Sequence, residues 1–157
     1  MNIFRLDNDP IVCAKYHCDK HVVKMILEYA QILSTAHRIL DSNNSEKLYK
    51  ATHINHPSTI WARTSSENYK WLYNLFLAVL DEYTFRYNKF HSTSRLLDIL
   101  SILPYNIKIA EQTELPLAMP DNCKLGSVVD SYRNYYLVEK FSFAKWTKRD
   151  KPYWWSI

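Results

Sequence analysis

A chain of 157 residues with a single glycine, Gly126, cannot build structures that depend on glycine's freedom at positive φ. Phosphate-cradling loops, dinucleotide-binding turns and tight primed hairpins all place glycine there. P-loop enzymes, Rossmann enzymes and most all-β folds are therefore excluded. The length suits one domain with a buried core and is too short for two. With 47% hydrophobic and 23% charged residues, the composition argues against disorder and against membrane spanning.

Helical periodicity organises what remains. Asp9 before Pro10 has the pattern of a cap followed by proline in the first turn, and a first long helix is expected from about 10 to 40. It stops in the polar cluster Asp41-Ser42-Asn43-Asn44-Ser45. A loop or short helix holds Thr52–Pro57. Thr64-Ser65-Ser66-Glu67 then reads as a capping box opening a second long helix to about Asn88. A shorter helix spans roughly Ser94–Leu103 and ends at Pro104. The stretch 104–126, with Pro104, Pro116 and Pro120, is long for a structureless connection and is a candidate functional loop. Ser127, three residues before Asp130, caps a last helix over about 128–140. The expectation is one all-α domain, residues 1–157, of about four helices with long functional loops and a basic aromatic tail at 140–157.

The first helix carries the sharpest feature. His17, His21, Lys24, Glu28, Gln31, Thr35 and Arg38 recur at three- and four-residue spacing, which puts them on one face. Apolar residues, Val22, Val23, Met25, Ile26 and Leu27 among them, cover both sides of that line, so the helix is expected to pack on both flanks and leave the polar stripe lining a cleft. Glu28 is the stripe's only carboxylate. A carboxylate between apolar walls beside the basic Lys24 and His21 suits general acid–base work; the same Lys24–Glu28 spacing also makes an ordinary surface ion pair. His17 and His21 have two-ligand metal spacing, with His37, or His53 and His56, as a third ligand. No glutamate follows His17 as in the zinc-protease helix, and no metal is assigned. His53 and His56 beside Pro57 read as loop imidazoles.

From Tyr132 to Trp155, nine aromatic residues alternate with Lys140, Lys145, Lys148, Arg149 and Lys151. Interleaved cations and rings are what a surface needs to hold phosphates and stack on bases, and net charge +4 agrees with a nucleic-acid partner. The competing reading is that the rings cap the core and the lysines keep the terminus solvated. Cys13, Cys18 and Cys123 form an odd set, and Met1–Arg5 lacks a basic stretch followed by a long apolar one. Reduced thiols in a cytoplasmic compartment are expected, the host's if the protein is viral.

Asp19-Lys20-His21 with Glu28 seven residues beyond the histidine, a long helix ending Asp81-Glu82-Tyr83-Thr84-Phe85-Arg86-Tyr87, and the terminal Arg149-Asp150-Lys151-Pro152-Tyr153-Trp154-Trp155 together resemble the phage pyrimidine-dimer DNA glycosylase/abasic lyase family. The resemblance implies a small all-α domain without cofactor that attacks C1′ of a deoxyribose with an amine, expels the damaged base and cleaves the strand through a Schiff base. An α-amine suits this because its reference pKa of about 8 leaves far more neutral nucleophile than a lysine near about 10.4. By the resemblance, Glu28 stabilises the developing positive charge or shuttles protons, while His21 and Lys24 position it or meet phosphate; His17, on the same helix face, is a further catalytic candidate. The amine belongs to Met1 or Asn2. Family members lose their initiator methionine before a small residue, whereas Asn2 is bulky, so Met1 is the first candidate. The family also has arginine before its glutamate, where this chain has Leu27; Lys24 or Lys20 substitute as cation or nucleophile, or Glu28 activates water instead.

The expected function is thus base excision from double-stranded DNA, acting on a damaged or modified pyrimidine, in a monomer that has no membrane contact. DNA contacts are expected from Lys20, Arg38, Lys145, Trp146, Lys148, Arg149, Lys151, Trp154 and Trp155. Two other classes stay open: a non-catalytic viral nucleic-acid-binding accessory protein that uses the tail alone, and a metal-dependent hydrolase using His17 and His21.

Overall fold

In the computed structural model, which describes residues 1–156, the carboxylate of Asp9 accepts the amide of Ile11 and Pro10 opens α1 (Pro10–Tyr16). The remaining helices are α2 (Asp19–Asp41), α3 (Pro57–Thr64), α4 (Ser66–Tyr87), α5 (Leu97–Leu100) and α6 (Val128–Tyr135). Turns of 3-10 helix occupy Ser92–Leu96 and Asp121–Cys123, and one π-helical turn, Tyr136–Lys140, extends α6. No strand occurs among the described residues, so the all-α expectation holds, with six helices in place of about four. Among the described residues no helix is long and apolar enough to cross a bilayer.

The capping signals act where the sequence puts them. Ser65 caps α4 by accepting the amide of Asn68, and Ser127 caps α6 by accepting that of Asp130. Thr64, expected in the first of these boxes, instead closes α3. Helices α2 and α4 end on left-handed residues, Ser42 at φ 48 and Asn88 at φ 54, positions that glycine usually fills. α4 packs against α1, α2 and α3, and α2 packs against α3. Between them lie Ile26, Tyr29, Leu33, Leu72, Phe76 and Val79, all removed from solvent; each such side chain contributes roughly 1.5–3 kcal/mol. The 104–126 segment has little regular structure but is pinned across the start of α4, where Thr113 exchanges hydrogen bonds with Asn68 and accepts the indole N–H of Trp61.

The largest departure from the expected helices is a break at His17–Cys18, where both residues turn to extended backbone. Neither glycine nor proline marks it. What permits it is Arg86 of α4, whose guanidinium donates to the carbonyls of Lys15 and His17 at 3.0 and 2.8 Å and so satisfies groups that the end of α1 would leave bare. The same side chain bonds Glu82 at 2.7 Å and Asp19 at 3.1 Å. Its side chain is wholly buried and Glu82 nearly so.

A buried ion left without its partner costs about 3–5 kcal/mol. Arg86→Met leaves Glu82 with Arg149 and Asp19 with Thr147 but strips the carbonyls of Lys15 and His17 of their donor. It is expected to lower unfolding stability by about 3 kcal/mol, the lower end of that range, read from the urea midpoint. A loss below about 1 kcal/mol, the scale of an exposed pair, would show that the network is solvated in solution.

Candidate active site

The site is built where the N-terminal segment passes α2. Ile3 and Leu6 are fully buried, and Asn2 clamps the segment in place. Its amide nitrogen donates to the carbonyl of Ala118 at 2.8 Å, while its side-chain oxygen accepts the amide of Ile3 at 2.8 Å and the hydroxyl of Tyr132 at 3.0 Å. The 104–126 segment thus reaches the site through Ala118. The Phe4 amide donates to the hydroxyl of Tyr29 at 3.2 Å, so the chain start is fastened from both sides.

This threading brings the Met1 amine to 3.4 Å from Oε1 of Glu28, with Met1's side chain 2% and Glu28's 13% exposed. Lys24 Nζ stands 3.7 Å from the other carboxylate oxygen, Oε2, which is buried and accepts no hydrogen bond. Around the pair is a cavity of about 250 Å³. Phe4, His21, Lys24, Ala118, Tyr135 and Lys140 contribute to its wall. An amine, a carboxylate and two lysines in a small recess can attack an electrophilic carbon, hold the resulting charge and bind phosphate.

His21 stacks on Phe4 with ring centroids 4.3 Å apart. Its Nδ1 pairs with the hydroxyl of Tyr136, and that hydroxyl also accepts the amide of Cys18. Burial, reinforced by the neighbouring His17 imidazole and by the positive charges of Lys140, Lys24 and Lys20, pushes its pKa down to about 2. His21 is therefore neutral and supports the Phe4 wall; it is not a phosphate-binding cation. His17 is placed apart from the stripe, because it sits in the break before α2. Its Nδ1 meets the carbonyl of Cys13 at 2.8 Å and its Nε2 the hydroxyl of Tyr29 at 2.7 Å. Burial, with Arg86 adding to it against the Cys13 bond, lowers its pKa to about 4. His17 thus fixes the phenol that fastens Phe4. The two imidazoles serve different phenols, and among the described residues no three His, Cys, Asp or Glu side chains converge as a metal site.

Other expected residues separate into two groups. Lys20, Lys145 and Lys151 are exposed, and Lys20 lies over the ring of Phe143, 4.4 Å from its centroid. Arg38 is placed elsewhere: its guanidinium donates to the carbonyls of Asn43, Ser45, Leu48 and Tyr49 and staples the loop after α2, leaving one of its five N–H groups. In the tail, Trp146 is buried and donates its indole N–H to the carbonyl of Tyr16. Arg149 pairs with Glu82 at 2.6 Å, Lys148 Nζ donates to the carbonyl of Phe85, and Trp154 and Trp155 pack edge-on to Tyr136 and Trp146. His56 caps α3 by accepting the amide of Ser58. The flanks of the stripe also differ from expectation. Val23 and Leu27 are 43% and 39% exposed, so the flank of the stripe that they occupy is open to solvent rather than packed.

Sequence reasoning missed Phe4, Tyr135, Tyr136 and Lys140 as parts of the site. The π-helical turn that carries Lys140 to the cavity has no local sequence mark; the excess of rings and lysines was the only signal for that wall.

A family model described as pyrimidine dimer DNA glycosylase matches residues 1–95. No curated protein and no solved structure matches the chain.

The two neutral imidazoles set a pH dependence. Below an ordinary histidine pKa of about 6.5, the unfolded chain takes up protons that His17 and His21 refuse in the folded state. Stability is therefore expected to fall as pH drops below about 6.5, by roughly 1.4 kcal/mol per pH unit for each imidazole. His17 stops contributing to this decline near its folded pKa of about 4. Urea midpoints between pH 7.5 and 5 read this directly, and His17→Gln should flatten the decline while lowering stability at pH 7.5. A midpoint that does not move over this range would mean that both rings can charge in place.

Proposed function

The chain belongs to the pyrimidine dimer DNA glycosylase family, and from that premise we propose that it excises a damaged or modified pyrimidine from double-stranded DNA with the Met1 amine as nucleophile. The single observation that carries this reading is the buried approach of that amine to Glu28 at 3.4 Å. The nitrogen lone pair forms a bond to C1′ as the bond from C1′ to the base breaks. The bonding pair leaves with the base, which takes up a proton. Glu28 accepts the proton that the amine gives up and opposes the positive charge that grows on the sugar. Opening of the sugar ring, with a proton passing to its oxygen, leaves an iminium between C1′ and the amine nitrogen. Loss of a C2′ proton then breaks the C3′–O bond and cuts the strand.

The remaining residues support binding and positioning. Lys24 and Lys140 at the cavity, with Lys20 and Lys145 on the neighbouring surface, suit the flanking phosphates. Asn2 and the pair Tyr29–His17 hold the amine in register. Neutral His21 and Phe4 form a flat wall suited to a sugar or base face.

Borohydride trapping on duplex DNA with an abasic site or ultraviolet lesions, followed by mass spectrometry, is expected to give one covalent adduct on the Met1 amine. Glu28→Gln should abolish the adduct and turnover while leaving DNA affinity intact. Normal turnover by that variant would overturn the assignment of Glu28, and an adduct on Lys20 or Lys24 would overturn that of Met1.

Phosphate contacts are read by salt. Lys20→Ala, Lys140→Ala and Lys145→Ala are each expected to weaken duplex binding and to reduce the slope of log affinity against log salt by about 1. A slope unchanged in all three would place the DNA on another face.

A further inference from the structure

Phe141 is a large apolar side chain that is 56% exposed yet carried by a hydrogen-bonded turn next to the cavity wall. The amides of Phe143 and Ala144 both donate to the carbonyl of Lys140, at 3.2 and 3.0 Å, which closes a turn and pushes residues 141 and 142 outward into solvent. Each side of the turn is anchored to the site. Lys140 lines the cavity and lies over the ring of Tyr135 at 4.6 Å. The ring of Phe143 lies beneath Lys20 and stands edge-on to His21 at 6.0 Å. Just beyond, the carbonyl of Lys145 accepts the amide of Asp19 at 2.7 Å, tying the segment to the start of α2.

The ring therefore projects into solvent from a turn whose two sides reach the cavity, through Lys140 in its wall and through Phe143 against His21 and Lys20, with Lys145 exposed farther along the same segment. A cationic surface of that kind meets the phosphates of a duplex, and an apolar ring at its centre meets the base stack. Proteins that distort duplex DNA insert such side chains between base steps, and an enzyme that works on one nucleotide must first take it out of the stack. We propose that Phe141 is a wedge that enters the base stack beside the nucleotide whose sugar occupies the cavity, unstacking it for attack. This inference rests on the DNA-glycosylase reading of the site and adds to it a residue that drives substrate opening.

The test uses a duplex with a tetrahydrofuran abasic analogue, which cannot react, and 2-aminopurine as its neighbour; 2-aminopurine brightens on unstacking. Saturating wild-type protein is expected to raise the fluorescence several-fold, and Glu28→Gln to raise it equally because no chemistry is involved. Phe141→Ala should bind about tenfold more weakly, the scale of one lost aromatic–base stack, and at saturation should give little rise. Phe141→Leu, which keeps an apolar wedge, should restore most of it. A rise of equal size in wild type and Phe141→Ala would overturn the proposal, as would no rise in wild type. Adduct trapping on the Met1 amine is read separately, so a failed wedge with intact trapping leaves the chemistry standing. A Phe141-dependent rise without any adduct would uphold the wedge and overturn the amine mechanism.

Discussion

The guanidinium of Arg86 is the point on which the rest of the architecture turns. A buried arginine is tolerable only when its donors are matched, and here they are shared between two carboxylates, Glu82 and Asp19, and two carbonyls at the end of α1. Those carbonyl bonds satisfy the end of α1, where the chain breaks before α2. The break re-aims α2 so that its polar line meets the N-terminal segment. Arg86 also ties down the tail indirectly. Asp19 accepts the amide and hydroxyl of Thr147, and Glu82 accepts Arg149. Between these two fixed points Lys148 is held at φ 60, a left-handed conformation that an L-residue keeps only where its neighbours impose it.

A second chain of bonds runs from this break to the Met1–Glu28 pair. Nδ1 of His17 faces the Cys13 carbonyl, so its N–H donates there and Nε2 is left to accept the hydroxyl of Tyr29. The Tyr29 oxygen in turn accepts the Phe4 amide. This order works only with a neutral imidazole, and burial keeps it neutral. Phe4 is three residues from the amine, and Asn2 fixes the intervening backbone from the opposite side. The position of the Met1 nitrogen is thus set by groups that never touch it. A flexible chain end becomes a group with a defined distance to Glu28, which is the preorganisation that attack on carbon requires.

Much of this was legible in the residue order, and the parts that were not share one cause. Asp9 with Pro10, Ser65 and Ser127 are local signals, and each acts within three residues of its own position. The line His21, Lys24, Glu28 is also local, because helix geometry alone sets its face. The break at His17–Cys18 depends on a side chain 69 positions away, and no window along the chain contains both ends of that bond. The tail shows the same limit from the other direction. Alternating lysines and rings describe a nucleic-acid surface and a core lid equally well, and only folding separates Trp146 and Arg149, which are committed to Tyr16 and Glu82, from Lys145 and Phe141, which remain at the surface.

The residues of the proposed site divide once more, between the matched stretch and the rest of the chain. Met1, Lys24, Glu28, Glu82 and Arg86 all lie within the stretch that the family model matches, residues 1–95. The far wall of the cavity lies outside it: Ala118 from the 104–126 segment, Tyr135 from α6 and Lys140 from the π-helical turn. A wall assembled from a pinned loop and a single irregular turn can change its shape by small substitutions without moving the amine or its carboxylate, since neither α1, α2 nor α4 contributes to it. Discrimination between lesions requires differences in contact to the bound nucleotide, and the 250 Å³ recess offers those differences on this second wall. On the proposed reading, the geometry needed for attack and the geometry suited to choosing a substrate are carried by separate parts of one small domain, joined at Asn2, which bonds within the N-terminal segment and to Ala118.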